Sequence, residues 1–64
     1  MYVNGQPYQY RDGLTLHTLL HELELDQRKI VVMQGDDVFR PGSVPDAPVA
    51  KDDVIEIVQM MQGG

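Results

Sequence analysis

Thr15-Leu16-His17-Thr18-Leu19-Leu20-His21-Glu22-Leu23 is the stretch on which the fold turns. Its leucines at 16, 19, 20 and 23 fall at i, i+3, i+4 and i+7, the single apolar stripe of an amphipathic helix. Thr15 stands where a hydroxyl oxygen accepts from the first free amides as an N-cap. The pattern predicts a helix of about three turns ending at Leu25-Asp26-Gln27, with Arg28 and Lys29 near the negative end of its dipole.

Before the helix, Met1-Tyr2-Val3 is a short apolar run stopped by Asn4-Gly5, a strong two-residue hairpin signal. Tyr8 and Tyr10 then alternate with Gln9 and Arg11, as in a second, half-exposed strand that Asp12-Gly13 breaks. After the helix, Ile30-Val31-Val32-Met33 is a short β-branched run, and Gly35-Asp36-Asp37 turns it into Val38-Phe39. Pro41, Gly42, Pro45 and Pro48 mark an irregular connection of about ten residues. Lys51-Asp52-Asp53 leads into a last strand, Val54-Ile55-Glu56-Ile57-Val58. The expected order is β-β-α-β-β-β, an α+β domain over residues 1–58 with one helix packed on one face of a mixed sheet. Past Val58 the apolar period fails, so Gln59-Met60-Met61-Gln62-Gly63-Gly64 reads as a flexible tail. Fully extended, such a tail reaches roughly 20 Å.

Composition narrows the function classes. Sixty-four residues make one domain at most and leave little interior for a deep catalytic pocket. Ten acidic residues against five basic ones give a net charge of -5, which disfavours nucleic acid and suits a basic protein surface. Cysteine is absent, which removes disulfides, thiolate metal sites and cysteine nucleophiles. The single serine, Ser43, lies in the Pro-flanked stretch with no histidine near it in sequence, so a Ser-His-Asp arrangement has no evident nucleophile. No long apolar run or signal-type N-terminus is present; no membrane association and a cytoplasmic location are expected.

What remains chemically available is the terminal carboxylate. Gly63 and Gly64 lack Cβ, so a chain end built from them, with Gln62, can thread a narrow channel and approach a nucleotide closely. Adenylation would turn the Gly64 carboxylate oxygen into a leaving group, and a sulfur nucleophile could then form a thiocarboxylate without any cysteine in this chain. Met60 and Met61 offer flexible thioethers to a partner's groove, the alternative being that one of them packs on the edge of the core. By alternation Val54 and Val58 face away from Ile55 and Ile57; if that side is uncovered they form an apolar docking patch. His17 and His21, with Glu24, have a spacing that a metal could use, but a solvated helix face is the expected reading and no metal site is assigned. Asp36-Asp37 and Asp52-Asp53 read as turn residues rather than as a cation site.

The chain resembles the bacterial thiamine-pathway sulfur carriers, the ThiS-like family, which share the β-grasp fold of ubiquitin. The resemblance rests on Asn4-Gly5, Asp12-Gly13-Leu14-Thr15-Leu16 leading into Leu19-Leu20, Ile30-Val31-Val32, Asp53-Val54-Ile55-Glu56-Ile57-Val58 and the final Gly63-Gly64. Two departures are Lys51-Asp52-Asp53, where members often carry Asp-Gly-Asp, and the lack of tryptophan between Pro41 and Pro48. The resemblance implies a carrier rather than an enzyme, a monomer when free, with no cofactor of its own. A ThiF-like activating enzyme would use ATP to adenylate Gly64, a cysteine desulfurase-type donor would supply the sulfur, and a ThiG-like thiazole synthase would receive it. Carriers of the same fold for molybdopterin, cysteine or tRNA thiolation share this tail chemistry. A ubiquitin-like modifier would instead join Gly64 to a lysine, and a plain interaction module would not use it. The residues leave these alternatives open.

Overall fold

The computed structural model describes residues 1–60; Met61, Gln62, Gly63 and Gly64 lie outside the described residues, and with them the expected mobile end of the tail. Strand β1 (Tyr2–Val3) pairs antiparallel with β2 (Gln6–Pro7) through a two-residue turn. Both turn residues have positive φ, 53° at Asn4 and 80° at Gly5, which is the mirror-image turn whose twist matches a hairpin. The second strand is far shorter than the tyrosine alternation suggests. Pro7, opposite Tyr2, sits at a position of the ladder that needs no amide. The Tyr8 amide still donates to Met1 O at 2.9 Å, and beyond that bond Tyr8 and Tyr10 pack, partly buried, against the core.

Helix α1 (Leu16–Glu22) begins as expected: the Thr15 hydroxyl accepts from the Thr18 amide, and Leu16, Leu19 and Leu20 are buried. It is only two turns long, and the reason lies at its C-terminus. The Leu25 amide donates to Leu20 O at 2.9 Å and the Glu24 amide to His21 O at 3.0 Å, the paired bonds of a Schellman stop. Glu24 takes the left-handed position at φ 60°, where glycine is usual. Leu25 and Asp26 therefore lie outside the helix, and Asp26 instead caps a 3₁₀ turn (Gln27–Lys29) by accepting from the Arg28 amide at 2.9 Å. Arg28 and Lys29 belong to that turn, not to the last turn of α1.

Strand β3 (Ile30–Gln34) turns into β4 (Asp37–Phe39), and β5 (Val54–Gln59) closes the sheet. The order across it is β2-β1-β5-β3-β4, with β1 parallel to β5 and the other neighbours antiparallel. β5 therefore occupies the centre, one residue longer than its apolar pattern, because Gln59 still pairs with Ile30. The Met60 amide adds a bond of 2.8 Å to Lys29 O.

The connection between β4 and β5 is irregular but not loose. Val44 and Val49 are buried in the same core as Leu14, Leu16, Leu19, Ile30, Val32, Ile55 and Ile57. The Leu16 amide donates to Ala47 O at 2.9 Å and the Val49 amide to Leu14 O at 3.0 Å, so the connection is stitched to the start of α1. Asp53 closes its end by accepting from the Ala50 amide at 2.8 Å and from Gln34 Nε2 at 3.0 Å, a turn role as expected from sequence. The result is an α+β β-grasp domain, with α1 and this connection on one face of a mixed sheet.

Candidate functional site

The two faces of β5 differ completely. Ile55 and Ile57 point into the core, whereas Val54 and Val58 stay 54% and 48% exposed. Strand registers extend that open face sideways. Val58 lies opposite Val31, Glu56 opposite Met33, Met33 opposite Val38, and Val54 opposite Tyr2. Tyr2 and Val38 are also exposed, at 50% and 63%, and Val31 and Met33 are half-buried. The face that the helix leaves bare is therefore apolar over four strands, a concentration beyond the scattered apolar residues of an ordinary surface.

Met60 stands at the end of this central strand, 47% exposed and still bonded to Lys29 through its backbone. Beside it a hollow of about 270 Å³ is lined by Leu25, Ile30, Gln59 and Met60 together with the charged Glu24, Asp26 and Lys29. Of the sequence-derived site residues, Val54, Val58 and Met60 lie on or at the end of one strand. Met61, Gln62, Gly63 and Gly64 follow Met60 in the chain but are outside the described residues.

The helix side carries structural chemistry. Contrary to the expected solvated face, His17 is half-buried: its Nε2 lies 2.7 Å from Val44 O, and its amide donates to Asp46 Oδ1 at 3.2 Å. The imidazole thus anchors the long connection, which approaches the helix from a distant part of the chain. His21 is exposed, and a hollow of about 230 Å³ beside it is lined by His17, Leu20, Leu25, Asp26 and Gln27. No group of three or more His, Asp or Glu able to hold a metal ion occurs among the described residues. The helical spacing of Glu24 is lost because the helix has already ended. Glu22 is held instead by three side-chain bonds: Tyr8 Oη donates to Oε1 at 2.6 Å, Arg11 Nη1 donates to Oε1 at 3.3 Å, and Arg11 Nη2 donates to Oε2. The Arg11 bonds, then the Tyr8 bond, hold its carboxyl below the ordinary carboxylate value. These groups tie the segment after β2 to α1.

Sequence reasoning did not single out Glu56, Tyr2, Met33 or Val38 as part of the open face. Glu56 was visible through the same alternation that selected Val54 and Val58. The other three needed the strand registers, which the one-dimensional pattern does not contain.

The ThiS family model matches residues 1–64. The sulfur carrier protein ThiS of Thermus thermophilus is 34% identical over 64 residues, covering 100% of this chain and 98% of that protein. Among the described residues no helix is long and apolar enough to cross a membrane.

Proposed function

The chain belongs to the ThiS family of sulfur carriers, and from that premise we propose that it carries sulfur as a thiocarboxylate on Gly64 for thiazole formation in thiamine biosynthesis. The observation that carries this reading is the whole-length family match on a domain whose central strand has a bare apolar face and is followed in sequence, after Met60, by the segment that ends in Gly63-Gly64. The chain acts as a co-substrate rather than as a catalyst. The Gly64 carboxylate attacks the α-phosphorus of ATP within an activating enzyme, pyrophosphate leaves, and an acyl-adenylate forms. The terminal sulfur of a persulfide donor then attacks the acyl carbon and AMP departs. A second thiol takes the donor sulfur into a disulfide, releasing the thiocarboxylate that a thiazole synthase consumes.

The domain's own contribution is presentation. Hydrogen bonding holds the chain to the sheet at Met60, and the four residues that follow it in sequence can span at most about 14 Å if extended. Val54, Val58 and Met60 form the docking surface that brings the activating enzyme within that reach, and Met61 and Gln62 lead the glycines into its channel. A dock close to the reacting carboxylate converts recognition into positioning. The negative charge of the chain speeds encounter with a basic partner surface.

Intact-mass spectrometry tests the reading. With ATP, a cognate activating enzyme and a persulfide donor, the chain should gain the mass difference between sulfur and oxygen. An unmodified mass under these conditions would sink the carrier chemistry, and a lysine-linked conjugate without thiocarboxylate would replace it with protein modification.

A further inference from the structure

Among the strand residues of the bare face, Glu56 is the charged one. Its neighbours are Val54 and Val58 along β5, Met33 directly across on β3, and Val38 beyond Met33 on β4. The ion pairs of the described residues join Arg11 to Glu22 and Arg28 to Asp26, the His17 ring lies 3.9 Å from Asp46, and none of these engages Glu56. An exposed carboxylate thus stands unpaired in the middle of an apolar field.

Solvent satisfies this carboxylate while the face is free, but docking removes the solvent. An unpaired carboxylate buried in an interface is strongly unfavourable, whereas one met by a cation with good geometry is tolerated and discriminates against partners lacking it. Arginine suits such a place better than lysine, since its guanidinium is planar, weakly hydrated and able to bind both carboxylate oxygens. A second copy of this chain fits badly. Symmetric packing through β5 would set acid against acid, on top of a net charge of -5 per chain.

We propose that Glu56 determines which partner docks on the sheet: the matching surface is apolar and carries an arginine that pairs with Glu56 at its centre. This rests on the carrier reading, in which that partner is the activating enzyme. Glu56 acts in recognition and touches no reacting atom.

The test is ATP–pyrophosphate exchange by the cognate activating enzyme, with the carrier as the varied substrate. Glu56→Gln should raise KM for the carrier about tenfold and Glu56→Lys about a hundredfold, with kcat nearly unchanged, since the loss of a buried charge partner weakens docking. Urea midpoints of both variants should match the wild type, because the Glu56 side chain makes no hydrogen bond or ion pair among the described residues. Replacing the facing arginine of the enzyme by glutamate should restore activity with Glu56→Lys and impair it with wild type. Robust wild-type exchange with an unchanged KM for Glu56→Lys overturns this inference and leaves the carrier reading standing. Absence of exchange with wild type overturns both. A concentration-dependent dimer of the wild-type chain in sedimentation, abolished by Val58→Glu, would assign the face to a second copy and overturn the proposal.

Discussion

Asn4 Oδ1 accepts a hydrogen bond from the Ile57 amide at 2.7 Å. The contact continues the parallel ladder between β1 and β5 after β1 has turned away. The Asn4 amide donates to Ile55 O at 2.8 Å, and its side chain then satisfies the next inward-facing residue of β5. Asn4 therefore serves two geometries at once, the left-handed turn of the hairpin and the upper end of the central strand. Asn4→Gly keeps the turn but removes the acceptor from a buried strand residue. It should destabilise the domain by about 1–3 kcal/mol in urea denaturation. Asn4→Asp, which retains an acceptor oxygen, should lose less.

The core of α1 should respond unevenly along its leucine stripe. Leu20 is 2% exposed, whereas Leu23 is only partly buried at the helix C-cap. Leu20→Ala should cost about 2–5 kcal/mol, enough to unfold much of so small a domain. Leu23→Ala should cost distinctly less. Equal shifts in the denaturation midpoint would contradict the burial order.

Glu24 offers a stabilising change. A residue with a Cβ in the left-handed region is disfavoured relative to glycine by roughly 1–2 kcal/mol, part of which glycine gives back through the entropy of the unfolded chain. Glu24→Gly should therefore raise stability by about 1 kcal/mol. A thermal scan in which Tm falls would count against the Schellman stop.

Acid should loosen the bonds that hold Glu22. Its carboxyl sits below the ordinary value of 4.5 because Arg11, then Tyr8, donate to it. A lowered folded-state value means that the contribution is fully present above the unfolded value and is lost as pH falls through the folded one. Stability should thus decline from about pH 4.5 downward, and Glu22→Gln should flatten that decline while lowering stability at neutral pH. Urea midpoints measured across this range would show whether the two curves converge in acid.

Removal of Gly64 should abolish adenylation while leaving the urea midpoint unchanged, since the described core is complete by Ile57. Gly63→Val should impair activation more than folding, because a β-branched side chain thickens the arm and restricts its backbone. Single-turnover adenylate formation, read beside the urea midpoint, separates the two effects.

The local elements were legible in sequence where one residue type has one physical use. Asn4-Gly5 specifies the turn because few residues tolerate two successive positive φ angles. Thr15 and the leucines at 16, 19 and 20 specify the start and the buried face of α1, and the alternation of β5 separates Ile55 and Ile57 from Val54 and Val58. The end of α1 was not legible, because its left-handed stop falls on a glutamate and the usual glycine signal is missing. Neither was the place of Tyr8 and Tyr10, whose spacing reads as a longer strand although the regular strand stops at Pro7 and both rings pack against the core. His17 could not be read as an anchor, since its partners Val44 and Asp46 are brought to it only when the long connection folds back over the helix. The open face divides in the same way. Val54, Glu56 and Val58 follow from a period of two along one strand, but whether their side is covered depends on where a single short helix packs. That choice, and the registers that set Tyr2, Met33 and Val38 beside them, belong to tertiary structure because pairing between distant segments is decided by the burial of a shared core.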